Sequence, residues 1–186
     1  RLYQKLPAFT KGYLDAILAA QQQVYGEFLI PGLLNDTILS DMQKSVPYTP
    51  NEDGIETPRY IYANYFLARK LAELDRTAIL KKLSSSHQVK LYTNNPTPQL
   101  SKVENIGAID YYEIMPLVFQ HSKINLNITL RSIQKGIPLR AFDIMGSAGF
   151  LLTNYQEDFL NYFVPGEDFI YYSSYEEAET YANYYL

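Results

Sequence analysis

The stretch 136-GIPLRAFDIMGSAGFLLTN-154, Gly136 to Asn154, decides the fold, because it reads as a short helix that passes directly into an apolar strand. Pro138 is expected at the first helical position, where its missing N–H costs nothing. Gly146 and Gly149 are expected to close the helix and start the strand "GFLLTN". Downstream, "YQEDFLNYF" has a helical pattern, "DFIYYS" is β-rich, and "SYEEAETYANYYL" is helical again. Its Ser-x-x-Glu spacing is that of a capping box, with Ser174 as N-cap and Glu177 reaching back to it. Upstream, "QVKLYTN" and "KINLNI" are short β-rich runs with the helical "YYEIMPLVFQHS" between them. Strands separated by helices need crossover connections, so the alternation predicts one parallel sheet of about four or five strands flanked by helices. The expected fold class is α/β, with a Rossmann-like domain over residues 86–186.

Residues 1–85 have a different texture. In "KGYLDAILAAQQQVYGEFL", Tyr13, Leu14, Ile17, Leu18, Val24, Tyr25 and Phe28 recur at helical spacing, which predicts an amphipathic helix over 11–29. A second short helix is expected around Leu33–Met42. "SVPYTPNEDGIETPRY" is rich in proline and acids without periodicity and reads as a linker. From Arg59 to Ser84 the apolar spacing predicts one long helix or two in succession. This part is read as an all-helical segment without strands. The chain starts on Arg1 and stops on "YANYYL" in mid-pattern, so a piece of a longer protein is expected.

The composition excludes several function classes. A net charge of -4 and a pI near 5.2 give no basic surface for nucleic acid. With no cysteine there is neither a disulfide framework nor thiolate chemistry, and the cytoplasm is the default location. No apolar run approaches the roughly 20 residues of a transmembrane segment, and "RLYQKLPAF" has no signal-peptide core. Two histidines without cysteine do not make the usual zinc site, so no metal is expected. "GSAG" is not a nucleophile elbow: Met145 stands where that motif has glycine, and both histidines precede Ser147. Most of the tyrosines are expected as core or half-buried positions with the hydroxyl reaching water.

Candidate binding residues gather where a parallel sheet holds its ligands, outside the carboxyl ends of the strands. The loop "TLRSIQKGIP" after "KINLNI" carries Arg131 and Gly136 and leads into a helix whose N-terminal N–H groups can receive an anion. Arg140, in the first turn, is a forked cation suited to phosphate oxygens. The other reading of Arg140 is a salt bridge to a neighbouring acid. Asp143, at i+3, shares its face and either accepts hydrogen bonds from ribose hydroxyls or pairs with Arg140. Gly146 and Ser147 lie at the far end of the helix. Asn125 and Asn127 alternate on one side of a strand, and either anchor the following loop or face a ligand cleft.

From Asp110 to Leu186, and more loosely from Asp75, the chain resembles the C-terminal domain of the CgeB-like (spore maturation protein) branch of group 1 glycosyltransferases, which have the GT-B fold. "SKINLN", "GIPLRAFDIMG" and "GFLLTNYQ" carry the resemblance. It implies donor binding from a nucleotide sugar, with Asp143 at the position of the ribose-holding acid, no cofactor and no metal. It also implies an N-terminal Rossmann domain of the same protein as partner, an acceptor it does not name, and departure of the nucleotide diphosphate aided by helix N–H groups and Arg140. The chain departs from the wider pattern at Ala148, where glycine is usual, and at Lys135, where many group 1 enzymes have a glutamate. The rival to an enzyme part is a non-catalytic module that keeps the half-fold for packing or assembly.

Overall fold

The computed structural model describes residues 2–48 and 54–186. The chain divides into two compact units: the described residues up to Ala72 together with Leu130–Ser132, and Glu73–Thr129 together with Ile133–Leu186. The division falls inside a helix, ahead of the boundary expected between residues 85 and 86.

In the first unit, α1 (Ala8–Gln22), α2 (Ile30–Leu33), α3 (Asp36–Ser45) and α4 (Pro58–Ile61) precede a π-helical turn (Tyr62–Leu67) that continues into α5 (Ala68–Leu83), whose residues from Glu73 onward belong to the second unit. Among its described residues there is no strand. Leu14, Ile17 and Leu18 of α1 are buried, as are Ile30, Leu34, Ile38 and Met42. This is the i, i+3, i+4 stripe of a core-facing helix.

α1 stops well short of residue 29, and the reason is Gln21. Its buried side chain donates to Val24 O (3.0 Å) and Glu27 O (2.8 Å) and accepts from Leu29 N (2.7 Å). The backbone of 24–29 therefore wraps around one amide, and Gly26 makes the turn at φ 83°. The expected second helix is split into α2 and α3 by Asn35, whose Oδ1 caps α3 by accepting from Ile38 N at 2.9 Å. Of the proline-rich linker, 49–53 lie outside the described residues, while 46–48 and 54–57 carry no regular structure.

The second unit holds β1 (Val89–Leu91), β2 (Val103–Asn105), α6 (Met115–His121), β3 (Asn125–Asn127), α7 (Leu139–Gly146), β4 (Leu151–Asn154), a 3-10 helix (Glu157–Asn161), β5 (Ile170–Tyr172) and α8 (Tyr175–Tyr185). Every strand pairing is parallel, but the strands form two sheets, β1-β2 and β3-β4-β5, where one had been expected. The polar residues Lys90, Glu104 and Asn105 are exposed, so β1 and β2 lack the apolar run that a strand covered on both faces requires. β4 has that run: all four of its residues are buried, with Asn125 opposite Leu151 and Leu152 opposite Ile170. Phe119, Ala141, Ile144, Leu151, Phe159 and Phe169 form the core beneath α6 and α7.

Only a 3-10 turn forms in "YQEDFLNYF". Val164 N donates to the Asp168 carboxylate at 2.8 Å, which turns the chain towards β5 before an α-helix can propagate. Ser174 caps α8 as expected, accepting from Glu177 N at 3.0 Å. The Glu177 carboxylate accepts from Ser173 N (2.6 Å), one residue earlier than a capping box requires. Among the described residues, no helix is long and apolar enough to cross a membrane.

Candidate functional site

The site is built on the end of β3 and the crossover that follows it. Asn125 and Asn127 both point into the structure. Asn125 Nδ2 donates to Phe119 O (2.9 Å) and Phe150 O (3.3 Å). Asn127 Nδ2 donates to the hydroxyls of Thr129 and Thr153, each at 2.9 Å. Asn154, at the end of β4, uses its amide as a substitute peptide: Oδ1 accepts from Thr129 N (2.7 Å) and Nδ2 donates to Thr129 O (3.4 Å). All these residues are buried, so the paired amides and hydroxyls hold the start of the loop after β3 without leaving polar atoms to be desolvated. Asn127 thus anchors the loop.

Arg131 is part of the helical unit. Its guanidinium lies 3.4 Å from the centre of the Tyr25 ring, and Nη1 donates to Val24 O at 2.9 Å. It is buried there.

The rest of the loop is tied to the turn after β4. Lys135 Nζ donates to Glu157 Oε2 at 2.7 Å, and Gly136 N donates to Asp158 Oδ2 at 2.5 Å. The hydrogen bond to Glu157, with the charge of the two acids, holds the Lys135 ammonium above the usual lysine range. Gly136 sits at φ 89°, a conformation that glycine adopts without strain.

At the start of α7, Pro138 is the N-cap, one position earlier than expected, because its extended ψ of 141° leaves its carbonyl as the first acceptor, bound by Ala141 N at 2.9 Å. The Pro138 side chain makes no capping hydrogen bond at this end. Its first N–H groups keep the anion-attracting character of an open helix terminus.

Arg140 and Asp143 do share a face. Arg140 Nε is 3.9 Å from Asp143 Oδ2, with both side chains partly exposed, and so long a pair contributes little stability. The guanidinium also lies 5.6 Å from the Tyr111 ring and 5.4 Å from the Phe119 ring, and Nη1 approaches Met115 Sδ at 3.5 Å. Tyr111 donates its hydroxyl to Asp143 Oδ2 at 2.5 Å, which raises the phenol pKa, first through that bond and then through desolvation and the carboxylate charge. Asp143 Oδ1 accepts no hydrogen bond from the described residues. Tyr111 lies 32 positions from Asp143, and nothing in its local pattern marks it.

The far end of α7 is closed on itself. Ser147 donates both its N–H (3.2 Å) and its hydroxyl (2.7 Å) to Asp143 O. Ala148, not a glycine, takes the left-handed position at φ 56°, and Gly149 N bonds back to Ile144 O at 2.9 Å. Gly146 is the last residue of the helix, with open space around its Cα hydrogen. Of the candidate residues, Arg140, Asp143 and Gly146 lie on α7 and Ser147 caps it; Arg140 stands in the open first turn, and Asp143, one turn on, has its carboxylate beside Arg140 and its carbonyl in the closed end.

Phe142 turns to another side of the helix. There, Gly136, Ile137, Phe142, Asp158, Tyr162 and Phe163 line a cavity of about 340 Å³. Among the described residues, no group of histidine and carboxylate side chains is arranged to hold a metal ion.

Residues 69–186 match the model of a family described as glycosyl transferase-like, a span that includes the whole crossover from β3 to β5. No curated protein and no solved structure matches the chain.

Proposed function

From the premise that this chain belongs to the glycosyl transferase-like family, we propose that it is the donor-binding part of a glycosyltransferase of the GT-B type and takes a nucleotide sugar at the open end of α7. The observation that supports this reading is the state of Asp143. One oxygen is held by Tyr111 beside Arg140, and the other accepts nothing from the described residues. A carboxylate fixed at one oxygen and open at the other is suited to vicinal hydroxyls such as those of ribose. Arg140 and the uncapped N–H groups of α7 then receive the diphosphate. In that role they stabilise the negative charge that grows on the leaving nucleotide as the glycosidic bond breaks, without a metal. Within the GT-B reading the acceptor and any general base belong to a second Rossmann domain, so this chain alone binds donor with little or no turnover. The resemblance to the CgeB-like branch is part of the same proposal.

A second reading has an observation in its favour. Arg140 already touches Met115, two aromatic rings and Asp143, as a purely structural arginine would in a non-catalytic module. A thermal-shift panel of nucleoside diphosphates and nucleotide sugars separates the two. The donor reading predicts that at least one of these ligands raises Tm, and the structural reading predicts that none does.

A further inference from the structure

Gln156 lies two residues beyond β4, the central strand of the three-stranded sheet, and is only 8% exposed. Its Nε2 makes one long contact, to Ile133 O at 3.4 Å, in the loop that runs from β3 to α7. Its Oε1 is fully buried and has no hydrogen-bond partner among the described residues. The neighbouring polar side chains behave differently. Asn127, Thr129, Thr153 and Asn154 are buried too, and each is bonded within the same network. Leaving a buried carbonyl unsatisfied costs stability, so an orphan beside a satisfied network needs a cause.

We infer that Gln156 Oε1 is a recognition group for the sugar of the donor, accepting a hydrogen bond from a sugar hydroxyl when the nucleotide sugar binds. The inference rests on the donor-binding reading above. The position favours it, since ligands of parallel sheets sit beyond the carboxyl ends of the strands and Gln156 faces the same loop that leads to Arg140 and Asp143. The chemistry narrows the partner. An amide oxygen only accepts, and the oxygens of an ionised diphosphate only accept as well, so the group that completes Gln156 is not phosphate. A sugar hydroxyl donates, and a site that keeps an acceptor waiting for a hydroxyl discriminates against ligands that lack it.

The test compares the wild-type chain with Gln156→Met, which keeps the side-chain length and removes the carbonyl. Each is titrated with UDP, GDP and dTDP, and with UDP-glucose, GDP-mannose and dTDP-rhamnose. For the pair that binds, the substitution should lower the affinity for the nucleotide sugar relative to its diphosphate by about tenfold and leave the diphosphate itself unchanged. The unliganded variant should melt close to the wild-type temperature, because the unsatisfied carbonyl and the long Nε2 contact to Ile133 O are removed together. An unchanged ratio, or an equal loss for sugar nucleotide and diphosphate, would overturn the inference. Wild-type protein that binds no diphosphate would overturn the donor reading and this inference together, whereas diphosphate binding with an unchanged ratio overturns this inference alone.

Discussion

The two ends of α7 are built for different tasks. At its C-terminal end, Ser147, Ala148 and Gly149 return four backbone bonds and one side-chain bond to the last turn, and Gly149 lies against its neighbours so tightly that an added Cβ would meet Asn125 Nδ2 and Phe119 O at 2.8 Å. At its N-terminal end the N-cap Pro138 supplies no side-chain cap, Leu139 is 80% exposed, and Arg140 and Asp143 form only a long, half-exposed pair. A closed end contributes stability and tolerates little change. An open end with fixed but incompletely satisfied polar groups contributes little to stability and is available to a ligand.

The largest expected effect tests the closed end. Gly149→Ala should destabilise the chain by about 3 kcal/mol, since two of its three nearest atoms are backbone and cannot swing away; denaturant unfolding measures it, and a loss under about 1 kcal/mol would mean that the end is looser than described. Asn154→Ala should cost about 2 kcal/mol by leaving the Thr129 N–H buried without its acceptor, read in the same unfolding experiment. Ala148→Gly should act in the opposite sense and stabilise by about 0.5–1 kcal/mol, because it relieves a left-handed alanine. The smallest effect is at the open end. Arg140→Ala should change stability by no more than about 0.5 kcal/mol, its exposed pair with Asp143 being weak and its charge opposing the helix dipole. A loss as large as that of Asn154→Ala would erase the contrast between the two ends.

Much of this crossover is legible in the residues themselves. β3, α7, β4, β5 and α8 form where apolar period and caps place them, and the i+3 spacing of Arg140 and Asp143 already puts them on one face. What is not legible depends on contacts distant in sequence. β2 lies in "KVENIG", which has no apolar run, and gains its order from pairing with β1. The early end of α1 follows from a single buried glutamine, Gln21, whose bonds no periodicity reveals. Tyr111, Thr129 and Asn154 matter because the fold brings them to partners 25 or more positions away. Gln156 is marked only by an unpartnered oxygen, which burial alone exposes. The helical pattern of "YQEDFLNYF" gives way to a 3-10 turn because Asp158 and Asp168 are drawn into loop contacts.

The central claim, that the open end of α7 holds the nucleotide of a donor, is tested most directly by calorimetric titration of wild type, Arg140→Ala and Asp143→Asn with a nucleoside and its diphosphate, using the base selected by the thermal-shift panel. Loss of a charge-assisted bond to phosphate of about 1.5–3 kcal/mol should weaken the diphosphate roughly ten- to a hundredfold in Arg140→Ala and leave the nucleoside almost unchanged. Asp143→Asn should weaken both ligands to a similar degree, because both carry the same ribose. Affinities for both ligands that are unchanged in both folded variants would contradict the claim and leave Arg140 and Asp143 as a structural pair.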